Sequence, residues 1–532
     1  MPEATSASVC REIIEEILRS EVPLDRHHIN RLKNRVCARY HLPTIPSNAD
    51  ILGHARPEEV DFLSRLLRKR PVRTASGVAV IAVMTRPQAC PHGKCAYCPG
   101  GPDLGVPQSY TGHEPATMRG IQNDFDPFRQ VHSRLDQLRA TGHTTQKAEL
   151  IVMGGDWCSK DAQYRAEFVK RCLDAMNQSE SGSLDEAKRK NERAPVRNIG
   201  TTFETRPDLV TPGSVDELLY MGATRVEIGV QTLSDSILHR VSRGHGVDSV
   251  VRASQLLRDS GIKVAYHMMP GLPGATFESD LNDFRRLFSD PAFRPDMLKI
   301  YPTIVVKHTK LYEWWTAGEY RPYDTDQTVG LLATAIAEMP EYVRIQRMQR
   351  DIPLHQIEAG LDCGNLRELV QKRMNQLGLR DRTIRYREVG HYELRTGKRV
   401  NMADVVLVRR EYDASGGKEL FLSLEVPEDD VLVGFLRLRR PSTASHRREM
   451  TAGPCAIIRE LRVYGTAVEL RQRRSDAWQH FGMGEWLIEA AESIGRDELG
   501  ADTILVNSGL GVKEYYRRLG FRDLGPYMAK SL

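Results

Sequence analysis

No stretch of this 532-residue chain approaches the roughly 18 uninterrupted apolar residues that a membrane-spanning helix needs. The opening MPEATSASVCREIIEEILRS carries acidic residues early and lacks the basic, apolar, small-residue order of an export signal, so a cytoplasmic location is expected. Cysteine is scarce. The nine cysteines are odd in number and thinly spread, apart from three within residues 90 to 98, which excludes a disulfide framework and suits a reducing compartment with a metal site. Internal repeats and low-complexity tracts are also missing. The net charge of +5 is too small to specify a nucleic-acid partner, and local charge bias says more.

What is present divides by rhythm. At this length a single hydrophobic core is exceeded, and two or three domains are expected. Within residues 1–75, the stretches 9–40 and 57–70 place apolar residues at helical spacing with Arg and Lys on the remaining face, a small basic helical segment. From Val78 to about residue 340, the apolar runs VAVIAVMT, AELIVMGG, IGTTFET, TRVEIGVQT, VAYHMMPG and LKIYPT alternate with amphipathic helical patterns. About six such units predict a parallel sheet covered by helices, an α/β partial (β/α) barrel over 76–340 with its site in the loops after the strands. Residues 341–390 are rich in arginine and read as a basic connecting region. Over 391–532 the strands VVLVRREY, LFLSLEV and VLVGFLRLRR follow one another through short turns, then mix with helices, predicting an α+β domain.

The strongest local signal is Cys90-Pro-His-Gly-Lys-Cys95-Ala-Tyr-Cys98 directly after the first strand. Three thiolates can hold three irons of a [4Fe–4S] cube and leave the fourth iron open to a small ligand. Spacing alone leaves a second reading open, a zinc site completed by His92 or His113. The cluster loop after strand one and the diglycine Gly154-Gly155 after strand two together resemble the radical S-adenosylmethionine (SAM) enzymes. That resemblance implies SAM as cofactor, with Gly154 and Gly155 admitting its methionine moiety. Glu204 and Arg206 end strand three, while Glu227 and Gln231 lie in strand four. All four belong at the same barrel mouth, although each alone is as well explained as a cap or a buried ion pair.

In the last domain, Gln479-His-Phe-Gly482-Met483-Gly484 opens a helix. Glycines there free backbone amides, which with the helix dipole suit a pyrophosphate; read alone, the motif is equally a plain glycine-rich turn. The preceding strand IIRELRVYG, with Glu460, Leu461, Arg462 and Val463, and the following NSGLGVKEYYRRLGF make the set resemble the GCN5-related N-acetyltransferase fold, implying acetyl-CoA. Tyr515 and Tyr516 are adjacent on a helix and point about 100 degrees apart, so one belongs to the core. Tyr516 is the expected proton donor to a departing thiolate.

With both halves in one chain, the sequence resembles the catalytic subunit of Elongator in its free-standing archaeal or bacterial form. The matching runs are CPHGKCAYCPGG, ELIVMGG, ETRPD, TRVEIGVQT, RGH, HMMPGLPG, KIYPT, LYEWW, QRDIP, GNLREL and REVG. The resemblance implies cluster ligands Cys90, Cys95 and Cys98. It also implies acetyl-CoA contacts at Glu460 to Val463, Gly482 to Gly484 and Tyr516, with Lys147 near the acetyl group. The implied reaction modifies carbon 5 of the wobble uridine of tRNA, with a SAM-derived 5′-deoxyadenosyl radical acting on the acetyl methyl. The base must leave the anticodon stack to react, while basic residues of 1–75 and 340–400 hold phosphates. Departures from the family pattern are Asp156-Trp157-Cys158 after the diglycine, and an absence of cysteines near 381–387 that leaves only Cys363 and His355 for a linker zinc site. Two rival readings are a protein lysine acetyltransferase with a structural cluster and a non-catalytic tRNA-binding scaffold. The basic tracts oppose the first and the complete cysteine and glycine motifs oppose the second.

Overall fold

The computed structural model describes residues 6–20, 24–40, 42, 44–67, 77–464 and 482–532. Its first four helices are α1 (Ser6–Leu18), α2 (Arg26–Arg39), α3 (Asn48–Gly53) and α4 (Pro57–Leu67). In α1 the buried residues Val9, Cys10, Ile13, Ile14 and Ile17 recur at the three-and-four spacing of one helical face. Asp25 caps α2 by accepting from the His28 amide, and Ser47 with Asp50 forms a capping box on α3. These helices bury a small core of their own. Part of the basic face is neutralised locally, since Arg35 pairs with Glu16 at 2.7 Å and Arg39 with Glu12 at 3.0 Å.

The next unit is a seven-stranded sheet whose strands are all parallel: β1 (Ala79–Met84), β2 (Lys147–Met153), β3 (Arg197–Thr205), β4 (Ala223–Gln231), β5 (Lys263–Met268), β6 (Met297–Ile300) and, after β7 (Val305–Val306), β8 (Arg344–Arg347). They lie in chain order, with β1 and β8 left as edges, so the barrel is partial. Strand β7 pairs instead with β9 (Ile357–Ala359) in a small antiparallel ribbon. The seventh strand comes from the stretch assigned above to a connecting region. Four residues bounded by arginines carry no strand signal, and only pairing with β6 makes them one.

Alternation along these strands explains the curl. Leu150 and Val152 of β2, Phe203 of β3, and Val226, Ile228 and Val230 of β4 face the helices and enter the main core. The alternate positions Glu149, Glu204, Arg225 and Glu227 face the other way and contact one another or the facing Lys299. Lys299 of β6 reaches Glu204 of β3 at 3.2 Å. In a flat sheet three strand spacings would separate them by about 14 Å, so the sheet is rolled around a charged lumen.

The second sheet runs β10 (Val406–Ala414), β11 (Gly417–Val426), β12 (Val431–Arg440), β13 (Cys455–Val463), β14 (Thr503–Val506), β16 (Tyr527–Ser531) and β15 (Arg522–Leu524). Its pairings are antiparallel except β13 with β14. It docks on the N-terminal ends of the barrel strands. There Asp296, just before β6, accepts from Arg459 at 2.7 and 2.8 Å, and Glu419 meets Arg459 and Arg439 at 2.8 and 3.0 Å. Arg439 also binds Asp259. Every one of these side chains is at most 1% exposed, and both sheets belong to one continuous core.

The arginines between the two sheets are largely used inside the protein. Arg344 binds Glu388 and the Tyr464 hydroxyl, Arg387 binds Glu425, and Arg367 donates to the Ile345 carbonyl. The expectation that 340–400 presents a broad phosphate-binding face is corrected for these three residues: charge patterning cannot distinguish an interface arginine from a solvated one. No helix among the described residues is long and apolar enough to cross a membrane.

Candidate functional site

Strand β1 ends at Met84, and the loop that follows carries Cys90, Cys95 and Cys98 over the C-terminal mouth of the sheet. The loop is pinned from two directions, since the Ala96 amide donates to Val241 and the Leu311 amide donates to Ala96. Cys98 Sγ lies 2.9 Å from Ser109 Oγ and 3.2 Å from Gln108 Nε2, and Cys95 Sγ lies 3.2 Å from His92 Nε2 and 3.9 Å from Arg243 Nη1. Burial, with Asp156 and the other thiols alongside, pushes the Cys90 thiol up to about 12; a bound metal cation reverses that preference. The three sulfurs do not all lie within 4.8 Å of one another. His113 instead packs edge-on against His355, 6.4 Å away.

Gly154 and Gly155 follow β2 with φ of 118° and 89°, a region that L side chains rarely adopt. A Cβ on Gly154 would strike Thr85, whereas one on Gly155 would meet only Gln108 at 3.7 Å. Space therefore remains over Gly155 beside the cysteine loop. Asp156 accepts from Thr205 Oγ1 at 2.6 Å through Oδ1, while its buried Oδ2 has no hydrogen-bond partner. Arg206 Nε lies 4.0 Å from it, too far for a hydrogen bond, so the oxygen can still accept from a small cationic group. These features fit an open-iron cluster with an amino-acid ligand.

Below this mouth the lumen holds a connected set of charges. Glu227 is fully buried and meets Lys299, His267 Nε2 at 2.9 Å and Arg225 Nε at 3.4 Å. Burial opposes its charge, but Lys299 and His267 more than offset that, holding its pKa well below the carboxylate range. Glu204 receives Tyr110 Oη and Lys299 Nζ, each at 3.2 Å. Arg206, expected at this mouth, closes onto Asp208 and the Arg243 carbonyl. Gln231, at φ 74°, ends β4 with its Oε1 buried and unpartnered.

The opposite end of the lumen meets the second sheet. Strand β13 pairs with β14 only over Cys455–Ile458, and a bulge lies opposite Arg437 and Leu438. Beyond it Glu460, Leu461, Arg462 and Val463 pair with β12, and among the described residues no strand pairs with their other edge, which suits an extended ligand. The Glu460 carboxylate is turned onto Arg437 Nε at 3.0 Å, which leaves backbone as its contribution. Gly482, at φ 71°, begins the helix Met483–Asp497 without a side-chain cap. Among the described residues no side chain caps its amides, an arrangement that suits an anion. Gln479 lies outside the described residues.

The tyrosine pair divides between the core and the glycine loop, and Tyr516, the residue expected at the cofactor, is the one turned into the core. The ring of Tyr516 is 5% exposed within the main core. The Tyr515 hydroxyl stands where a Cβ on Gly484 would come within 2.7 Å. A helix turns successive side chains by about 100 degrees, and the apolar neighbours claim Tyr516. Burial pushes the Tyr515 hydroxyl up to about 12, keeping it a proton donor at neutral pH. Lys147, at the start of β2, is half-buried, and its pKa is lowered by burial with Arg197 adjacent.

Sequence reasoning gave no role to Arg243, Asp156, His267 or Lys299. Arg243 sits in RGH and His267 in HMMPGLPG, runs noticed as patterns. Nothing local marks them, because their partners lie on other strands.

Comparison with known proteins agrees with this geometry. Residues 84–287 match the Radical SAM superfamily, 295–376 the Radical_SAM C-terminal domain and 6–75 the ELP3 N-terminal domain. The chain is 47% identical to a tRNA uridine(34) acetyltransferase of Methanocaldococcus infernus, covering 98% of this chain and 99% of that protein. It is 43% identical to Elongator complex protein 3 of Schizosaccharomyces pombe, covering 99% and 98%. The structure of the archaeal M. infernus Elp3 with an N-terminal deletion (1–46) superposes with a TM-score of 0.77 at 43% identity, covering 86% of this chain and all of that one.

Proposed function

The chain belongs to the family of tRNA uridine(34) acetyltransferases and Elongator complex protein 3, and from that premise we propose that it modifies carbon 5 of the wobble uridine of tRNA with an acetyl-CoA-derived group. The observation that supports the reading is the cysteine loop at one end of a charged lumen, with an unpaired strand edge and a glycine-opened helix toward the other. A [4Fe–4S] cluster with SAM supplies a 5′-deoxyadenosyl radical for hydrogen abstraction, and uridine carbon 5 needs such a route because it is too weak a nucleophile to attack a thioester.

In this reading Cys90, Cys95 and Cys98 hold the cluster, with Arg243 and Gln108 donating toward the sulfurs. Gly155 admits the methionine backbone of SAM, and Asp156 Oδ2, which has no hydrogen-bond partner, accepts from its amino group. Glu204 borders the same pocket, while Glu227, having no exposed surface, sets the lumen's electrostatics rather than touching cofactor. The open edge of Glu460 to Val463 pairs with pantetheine, and Gly482, Met483 and Gly484 bind pyrophosphate. Tyr515 donates a proton to the departing thiolate, and Lys147 stands at the lumen entrance. Residues 1–75 bring phosphate-binding charge to the tRNA. The barrel positions reactants and excludes water, which is most of what a protein contributes to radical chemistry.

The test is anaerobic reconstitution with iron, sulfide, SAM, reductant, acetyl-CoA and tRNA, followed by mass spectrometry of the digested nucleosides. A new C5-substituted uridine at position 34 is expected. Its absence, with 5′-deoxyadenosine still formed, would overturn the proposed substrate.

A further inference from the structure

The lumen holds two side chains for which the reading above has no task, His267 and Lys299. Both donate to the same buried oxygen, Glu227 Oε2, so they stand side by side on β5 and β6. Glu227 is only an acceptor when charged, which puts the imidazole hydrogen on Nε2 and leaves Nδ1 with a lone pair. Lys299 and Arg225 contact the same Glu227 carboxylate and share its charge. Tyr301 packs edge-on against it at 5.4 Å and 74° and fixes its rotation. The ring is 15% exposed, and no partner to Nδ1 exists among the described residues.

The Lys299 ammonium has three N–H groups. Glu227 and Glu204 take two, and the third remains. The carboxylates of Glu204 and Glu227 with the His267 ring could otherwise hold a metal ion, but Lys299 contacts both carboxylates and supplies the positive charge itself. The result is a fixed acceptor next to a fixed donor at the lumen end that faces the cysteine loop.

We infer that His267 and Lys299 read the uracil edge of the flipped base, Nδ1 accepting from N3–H and the ammonium donating to the neighbouring carbonyl O4. Cytosine presents an amino donor and a bare N3 at these positions, so both contacts fail and buried groups are left unpaired. This inference rests on the proposed function and names the residues that select its substrate.

The test compares anticodon stem-loops carrying uridine or 3-methyluridine at position 34, which differ in the N3 hydrogen. The unmutated protein should prefer uridine by roughly tenfold or more in kcat/KM, the size of a hydrogen bond lost at a buried site. His267→Leu should lose that preference and bring the ratio close to one. His267→Gln, whose amide can donate to Glu227 and still present an acceptor, should restore part of it. Should the leucine variant turn over too slowly, the same ratio is read from equilibrium binding of the two stem-loops. A leucine variant that is slow on both RNAs yet keeps the full preference would give His267 a purely structural role and overturn the inference. Failure of the unmutated protein to modify uridine 34 would instead overturn the proposed function.

Discussion

Asp296→Asn is expected to loosen the attachment of the second sheet to the barrel without changing shape. The carboxylate has no exposed surface and accepts from both Arg459 Nη atoms at 2.7 and 2.8 Å and from the Val264 amide at 2.9 Å, while Arg437 lies 3.5 Å away. Asparagine keeps an acceptor for Val264 but removes the charge, leaving Arg459 with Glu419 and the Ile262 carbonyl and Arg437 with Glu460. Breaking a buried ion pair by removing one partner costs about 3–5 kcal/mol, a large part of the 5–15 kcal/mol by which proteins are typically stable. The control is Glu498→Gln, which breaks an Arg409 pair of similar length, 2.6 and 2.7 Å. That pair is 31% and 45% exposed, so solvent screening should leave its loss with little effect on the midpoint. Urea unfolding at pH 7 followed by tryptophan fluorescence gives both midpoints. Burial opposes the Asp296 charge, but Arg459, Arg258 and Arg437 more than offset it and hold its pKa well below the ordinary carboxylate range. The charge therefore adds stability that is present above the unfolded value of about 4 and lost as pH falls through the folded value. Equal midpoint shifts for the two variants would refute the reasoning, since burial would then confer no advantage on the Asp296 network.

Cys95→Ala should abolish bound iron and 5′-deoxyadenosine formation after anaerobic reconstitution while leaving acetyl-CoA binding intact; normal iron content in a variant lacking all three cysteines would refute the cluster assignment. Tyr515→Phe should lower tRNA-stimulated acetyl-CoA hydrolysis by roughly tenfold or more with tRNA affinity nearly unchanged, and an equal effect from Tyr516→Phe alone would reverse the division of the pair. Affinity for tRNA should fall steeply between 50 and 200 mM salt, on the order of a thousandfold if six phosphates are contacted, and should weaken on truncation of residues 1–75. An affinity indifferent to salt would refute phosphate-dominated binding.

The cysteine loop, the diglycine and the glycine-opened helix were legible because each is a local device set by spacing along a few residues. The strand and helix rhythm was legible for the same reason, since apolar periodicity records which face of each element is buried. Strand β8 was not, because four residues bounded by arginines acquire strand geometry only from β6. Nor was the fate of Arg344, Arg367 and Arg387, which composition alone places on a solvated basic surface and the structure places against Glu388, the Ile345 carbonyl and Glu425.

The amino-acid order by itself therefore determined most of the elements, the two kinds of sheet and the clustering of three thiols in one loop, all of them properties of short segments. Only the tertiary structure decided that Tyr515 faces the glycine loop while Tyr516 fills the core, that Asp296 gathers arginines from the second sheet, and that Glu227, His267 and Lys299 meet inside the lumen. These are contacts between residues tens to hundreds of positions apart. The curl of the sheet and the docking of the second unit create them, and the free energy of burying charge in a closed space then fixes which of those groups must pair.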